Sequence, residues 1–137
     1  MKLVHLTAAQ NIPSIQAQGL KPAAVPRDGF SPHWPHGCVW FTRELRELKV
    51  TWWDDPSLYA CFVLVVLPAS DKRLMSLERW LRDHLSPDHL DKAIATLNQF
   101  GSGWRSHYLY FGIVPPHRIK AVGKTVSTPP ADEQEAA

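Results

Sequence analysis

Cysteine is scarce in this sequence: Cys38 and Cys61 are the whole complement of its 137 residues. Two thiols do not make a disulfide framework. Both lie in apolar runs, so buried, reduced thiols and a cytoplasmic setting are expected. Charge of one sign is lacking as well, and a formal net charge of +2 gives no ground for declaring a nucleic-acid binder. The longest apolar run, residues 58–67, is half of what a helix needs to cross a bilayer. The opening residues show no charged segment followed by an apolar one and a cleavage site, so no secretory signal and no membrane partner are expected. Walker loops, Rossmann glycine fingerprints and G-x-S-x-G elbows are missing too, which removes the commonest nucleotide-binding and hydrolase signatures.

What is abundant is proline and tryptophan, twelve and six residues respectively. The prolines imply many loops and short elements; the tryptophans imply core packing, with a cleft or partner surface as the second use. The length suits one domain, because two would each be too small to bury enough apolar surface. Residues 1–124 are expected to form it. Residues 125–137 are polar, acidic and proline-containing, with nothing to bury, and read as a disordered tail.

Along the chain, residues 2–6 read as a strand, with Thr7 able to cap the helix that follows and Gly19 able to end it. Pro13 fits that helix because it falls in the first turn. Residues 21–37 read as loop, holding Pro22, Pro26, Pro32 and Pro35. "CVWFT" at 38–42 reads as a short buried strand, "RELREL" as a single helical turn, and 58–67 as a central strand covered on both faces. Ser76 caps a predicted helix in which Leu77, Trp80, Leu81 and Leu85 line one stripe. Ser86-Pro87 starts a second, striped by Leu90, Ile94 and Leu97. "GSG" at 101–103 reads as a hinge, 107–114 as a strand, "PPHRI" as a turn and "IKAVGK" as the last strand. Strands at both ends with helices between them predict an α+β protein.

Three stretches carry more than fold. "VHLT" enters a helix that ends in "GLKP"; "GCVWFT" follows in the middle; "SHYLYFGIVPPHRIKAV" closes the pattern. Their order and spacing resemble the ADP-ribosyltransferase-like superfamily, in the flavour of the small bacterial or phage members, the DNA-modifying toxins and the RNA 2′-phosphotransferases. The resemblance implies a split β-sheet core with helices at its flanks and NAD as cofactor. It implies that His5 holds the NAD ribose and that Thr7 supports the nicotinamide side. Trp40 or Phe41 would supply an aromatic wall, and the closing hairpin would carry the catalytic position. That position, a glutamate in the family, is His107 here, beside Tyr108. Neutral imidazole can bond a ribose hydroxyl but cannot supply the negative charge that opposes a developing oxocarbenium ion.

Arg27, Arg43 and Arg105 are candidates for holding a pyrophosphate, since guanidinium forks match phosphate geometry. Glu44 and Glu47 are acids that could approach a cleft. His33, His36 and Cys38 could supply three metal ligands, but a structural zinc needs four, usually in two pairs, and no second pair follows, so no metal is expected. The resulting expectation is an NAD-binding transferase acting on a macromolecular acceptor, protein or nucleic acid, or on a phosphate through ADP-ribose. The alternative is a catalytically degenerate module of the same fold that binds protein or nucleic acid. A third is an unrelated α+β protein in which these residues are structural.

Overall fold

The computed structural model describes residues 1–22, 35, 37–43, 61–99 and 102–124. In chain order these form β1 (Lys2–Thr7), a 3-10 turn (Ala9–Asn11), α1 (Ile12–Gln18), β2 (Val39–Thr42) and β3 (Cys61–Val66). There follow β4 (Leu74–Ser76), α2 (Leu77–His84), α3 (Pro87–Asn98), a 3-10 turn (Ser102–Ser106) and β5 (His107–Tyr110). A last 3-10 turn (Pro116–Arg118) leads into β6 (Ile119–Lys124). The protein is α+β, as its element order implied. Among the described residues no helix is long and apolar enough to cross a membrane.

The six strands form one sheet in the order β4-β5-β2-β1-β3-β6, every neighbouring pair antiparallel. Its pairing is uneven. β1 runs in full register with β3, from Lys2↔Val66 to Thr7↔Cys61. With β2 it shares the single registered pair Val4↔Thr42. The sheet is therefore two halves, β4-β5-β2 and β1-β3-β6, that meet at one residue pair.

Strand alternation assigns each side chain to a face. Leu3, Val39, Phe41, Val63, Val65 and Tyr110 pack on one face with Ile15 of α1, Leu20 and Val114. On the opposite face Leu109 packs with Cys38, Trp104 and the buried Leu77 and Leu81 of α2. Leu90, Ile94 and Leu97 of α3 add to that cluster, so the apolar stripes of both helices meet the sheet as their spacing implied. Each fully buried leucine contributes about 1.5–3 kcal/mol. Ser76 caps α2 by accepting the Arg79 amide at 3.2 Å, and Ser86 caps α3 by accepting the His89 amide at 3.3 Å.

Several expectations change. Thr7 is the last residue of β1 and not a helix cap; Asn11 holds the N-cap position of α1 and no side chain caps that helix. Gly19 does end α1 at positive φ (88°), but with ψ at −177° it is extended and not left-handed helical. β3 alternates buried and half-buried residues instead of being covered equally on both faces, because α2 and α3 pack on the half-sheet that carries Leu109. Residues 74–76 form a strand that so short a stretch did not announce, with Leu74 opposite Tyr110. Ser102–Ser106 is a 3-10 turn whose Trp104 is buried and donates to Asn98 at 2.8 Å, not a hinge.

The closing segment is not a hairpin. β5 lies in one half-sheet and β6 at the edge of the other. Strand pairing of β5 stops at Tyr110, short of the expected 114; before β6 the Phe111 amide donates to the Arg73 carbonyl at 2.9 Å, and Val114 exchanges two backbone hydrogen bonds with Leu20 at 2.8 and 2.9 Å. Pro115 and Pro116 lack the N–H groups a continuing ladder needs. The chain turns through Pro116–Arg118 and crosses to β3. The "RELREL" turn, most of the 21–37 loop, residues 58–60 of the long apolar run and the acidic tail lie outside the described residues.

Candidate functional site at the join of the half-sheets

The join is where the backbone ladder gives out. Beyond Val4↔Thr42, β1 and β2 make no further registered pair, and there the His5 side chain takes over. Its Nδ1–H donates to the carbonyl of Trp40 at 2.8 Å. A carbonyl only accepts, so Nδ1 carries the proton and Nε2 is left with a lone pair. Burial lowers the His5 pKa, opposed in part by the bond to the Trp40 carbonyl. The ring is held neutral, with its tautomer fixed by the backbone of the neighbouring half-sheet.

His5, Thr7, Phe41 and Tyr108 share the α1 face of the sheet. His5 and Thr7 are two apart on β1, and Phe41 is paired with Tyr108 across β2 and β5. The Phe41 ring meets His5 edge-on, with centroids 5.9 Å apart. Thr7 is buried, and its Oγ1 accepts from Asn11 Nδ2 at 3.0 Å. Among the described residues no carboxylate is bonded to any of these four side chains.

The other candidates lie on the opposite face. His107 pairs with Thr42, and Trp40 with Leu109, so all four point toward α2 and α3. The Trp40 and His107 rings meet edge-on at 6.4 Å. Burial lowers the His107 pKa, and its Nδ1 is buried without a hydrogen-bond partner among the described residues. Beside it, Ser106 donates to the Gly103 carbonyl at 2.7 Å, which leaves the Ser106 oxygen to accept from Thr42 at 3.1 Å. His5 on β1 and His107 on β5 thus flank β2 from either side, and they lie on opposite faces of the sheet. Tyr108, and not His107, is the β5 residue on the His5 face.

The arginines divide. Arg105 lies over the Trp104 ring at 4.5 Å, with its Nε 3.9 Å from Glu78, so it is engaged on the helix-covered face. Arg43 is exposed just after β2, where its amide donates to the Ser106 carbonyl at 3.0 Å. Arg27, with His33, His36, Glu44 and Glu47, lies outside the described residues. Among the described residues no group of three or more His, Cys, Asp or Glu side chains could hold a metal. Cys38 and Cys61 are both buried and unbonded to each other.

Asn11 is the residue that reading the sequence missed. Its only signal was an asparagine just ahead of a helical stretch, which is ordinary capping grammar. The Asp71–Arg73–Tyr110 cluster was missed as well. There the Tyr110 hydroxyl donates to Asp71 at 2.9 Å, Arg73 pairs with Asp71, and the Arg73 guanidinium lies over the Tyr110 ring. Neither a family model nor a curated protein nor a solved structure matches the chain.

Proposed function

We propose that the chain is an ADP-ribosyltransferase-like protein that takes NAD, or an ADP-ribose-like ligand, at the join of the two half-sheets. The observation that carries the reading is the His5 ring, which bridges the join through Nδ1 and keeps Nε2 as a fixed acceptor. The sequence pattern asked for a first-strand histidine beside a split in the sheet. The pairing of β1 with β2 through Val4↔Thr42 alone supports that arrangement. The two segments behind the resemblance, "GLKP" and "GIVPP", also meet in space through Leu20 and Val114.

The donor set fits such a ligand. His5 Nε2 accepts from a ribose hydroxyl, Thr7 offers a hydroxyl two residues on, and the Phe41 ring makes an apolar wall against an aromatic group. Bound NAD supplies a glycosidic bond whose cleavage develops positive charge on the ribose. The chain's own residues bind and orient it: a neutral, oriented imidazole costs no reorganisation when a hydroxyl docks against it. A macromolecular acceptor, protein or nucleic acid, belongs to this reading.

One observation favours a second reading, in which the fold is kept as a non-catalytic binding module. The position expected to be glutamate is His107, and its side chain is directed to the face opposite His5. Calorimetric titration with NAD, alongside an assay for released nicotinamide, tests both readings. Wild-type protein is expected to bind NAD, and His5→Ala to weaken binding by about tenfold while remaining folded. Binding with steady nicotinamide release supports the transferase; binding without release supports the module. Absence of binding by the wild type overturns the proposal.

A further inference from the structure

We infer that Asn11 is a positioning residue that fixes the polarity of the Thr7 hydroxyl, so that the site offers one fixed acceptor and one fixed donor side by side. The inference rests on the reading of the join as the ligand site and deepens it.

The starting point is the hydrogen bond that the Asn11 side chain makes to Thr7. Asparagine at a helix N-cap ordinarily accepts an amide of the first turn. Asn11 does not do so; its side chain turns back and donates to Thr7 across the 3-10 turn that links β1 to α1. Asn11 is itself helical (φ −86°, ψ −14°), in a run of helix that begins after the extended Ala8, so its side chain is not in capping geometry and is available to anchor Thr7.

The consequence follows from counting protons. A threonine hydroxyl has one proton and two lone pairs. With a lone pair taken by Asn11, the proton is directed elsewhere, and no acceptor for it is found among the described residues. Thr7 is only 6% exposed, so bulk water does not readily satisfy that proton. Two residues back on the same face, His5 Nε2 is fixed as an acceptor. The pair suits a ligand that presents a donor to His5 and an acceptor to Thr7 across the spacing of two strand residues, about 7 Å. Had the Thr7 hydroxyl donated to Asn11 instead, the site would offer two acceptors and prefer a ligand with donors only.

Asn11→Asp separates these cases. A carboxylate only accepts, so Thr7 must give it the proton, and the hydrogen bond survives with its polarity reversed. A carboxylate at the start of α1 also interacts well with the helix N-terminus, so stability by urea denaturation should equal or exceed that of the wild type. A residue of merely structural importance would then leave NAD binding unchanged. The inference instead expects affinity for NAD to fall about three- to tenfold, the worth of one hydrogen bond, and Asn11→Ala to fall less. Because an added charge could act directly on the nucleotide, the same change is made in a Thr7→Val background, or Thr7→Ala should valine disturb folding. There Asn11→Asp should have no further effect.

Wild-type affinity in Asn11→Asp, or an equal loss in both backgrounds, overturns the inference while leaving the site intact. Failure of the wild type to bind NAD overturns the site and the inference together.

Discussion

Gly19→Ala should be among the most damaging single substitutions in the described part of the chain. At φ 88° and ψ −177° the backbone is in a region open essentially to glycine alone. Forcing alanine into it costs about 1–3 kcal/mol. Steric conflict comes on top of this strain. A Cβ on residue 19 would lie 2.0 Å from the Val114 carbonyl oxygen, which is backbone and cannot swing aside. Relief requires Val114 to withdraw, and Val114 is held by its two bonds with Leu20. Losing both adds about 1–3 kcal/mol. The sum, about 2–6 kcal/mol, is a large share of the stability of an ordinary domain, about 5–15 kcal/mol. Urea denaturation followed by tryptophan fluorescence measures it. Gly37→Ala is the control, because Gly37 also has positive φ (69°) but nothing within 4 Å of its added Cβ. That change should cost about 1 kcal/mol. A Gly19→Ala protein within 1 kcal/mol of the wild type, or no worse than Gly37→Ala, would refute the argument from close approach.

Stability should fall as the pH drops below about 6.5, where histidines of the unfolded chain begin to take up protons. His5 and His107 have folded pKa values lowered by burial, so the unfolded state binds more protons in that window and the loss levels off below the folded values. Urea midpoints compared at pH 7.5 and pH 5.5 check this, and His107→Gln should flatten the dependence; equal slopes would count against a buried neutral His107. The Cys38 thiol, pushed up to about 12 by burial, should resist iodoacetamide at pH 8 in the native protein and react on unfolding. Fast labelling of the folded chain would contradict the packing of Cys38 under α2.

The sequence was most legible where its signals are local. The stripes of Leu77, Leu81, Leu90, Ile94 and Leu97 and the caps at Ser76 and Ser86 all depend on neighbours within one or two turns, and each is found where expected. The first and last strands follow from β-branched runs bounded by turns. Pairing was not legible. The resemblance implied that "SHYLYFGIVPP" and "IKAVGK" form a closing hairpin, yet they belong to different half-sheets. The site suffered from the same blindness. Whether His107 or Tyr108 faces His5 depends on the β2–β5 register, and a slip of one residue exchanges the two faces. Nothing in the spacing of the chain fixes that register. Trp40 and Phe41 posed the same ambiguity, and the pairing assigns the ring to Phe41 and the carbonyl to Trp40.

Two plates joined at one pair of residues look free to work loose from each other, but the order in which the chain visits them forbids it. It passes between the halves from β1 to β2, from β2 to β3, from β3 to β4 and from β5 to β6. The strands of the two halves thus alternate along the sequence, and neither half exists as a contiguous fragment that could fold or be cut away alone. Contacts so distant along the chain also make for slow folding. A molecule held at the seam would touch both halves at once, so its binding should protect backbone amides of β3 and β5 together against hydrogen exchange.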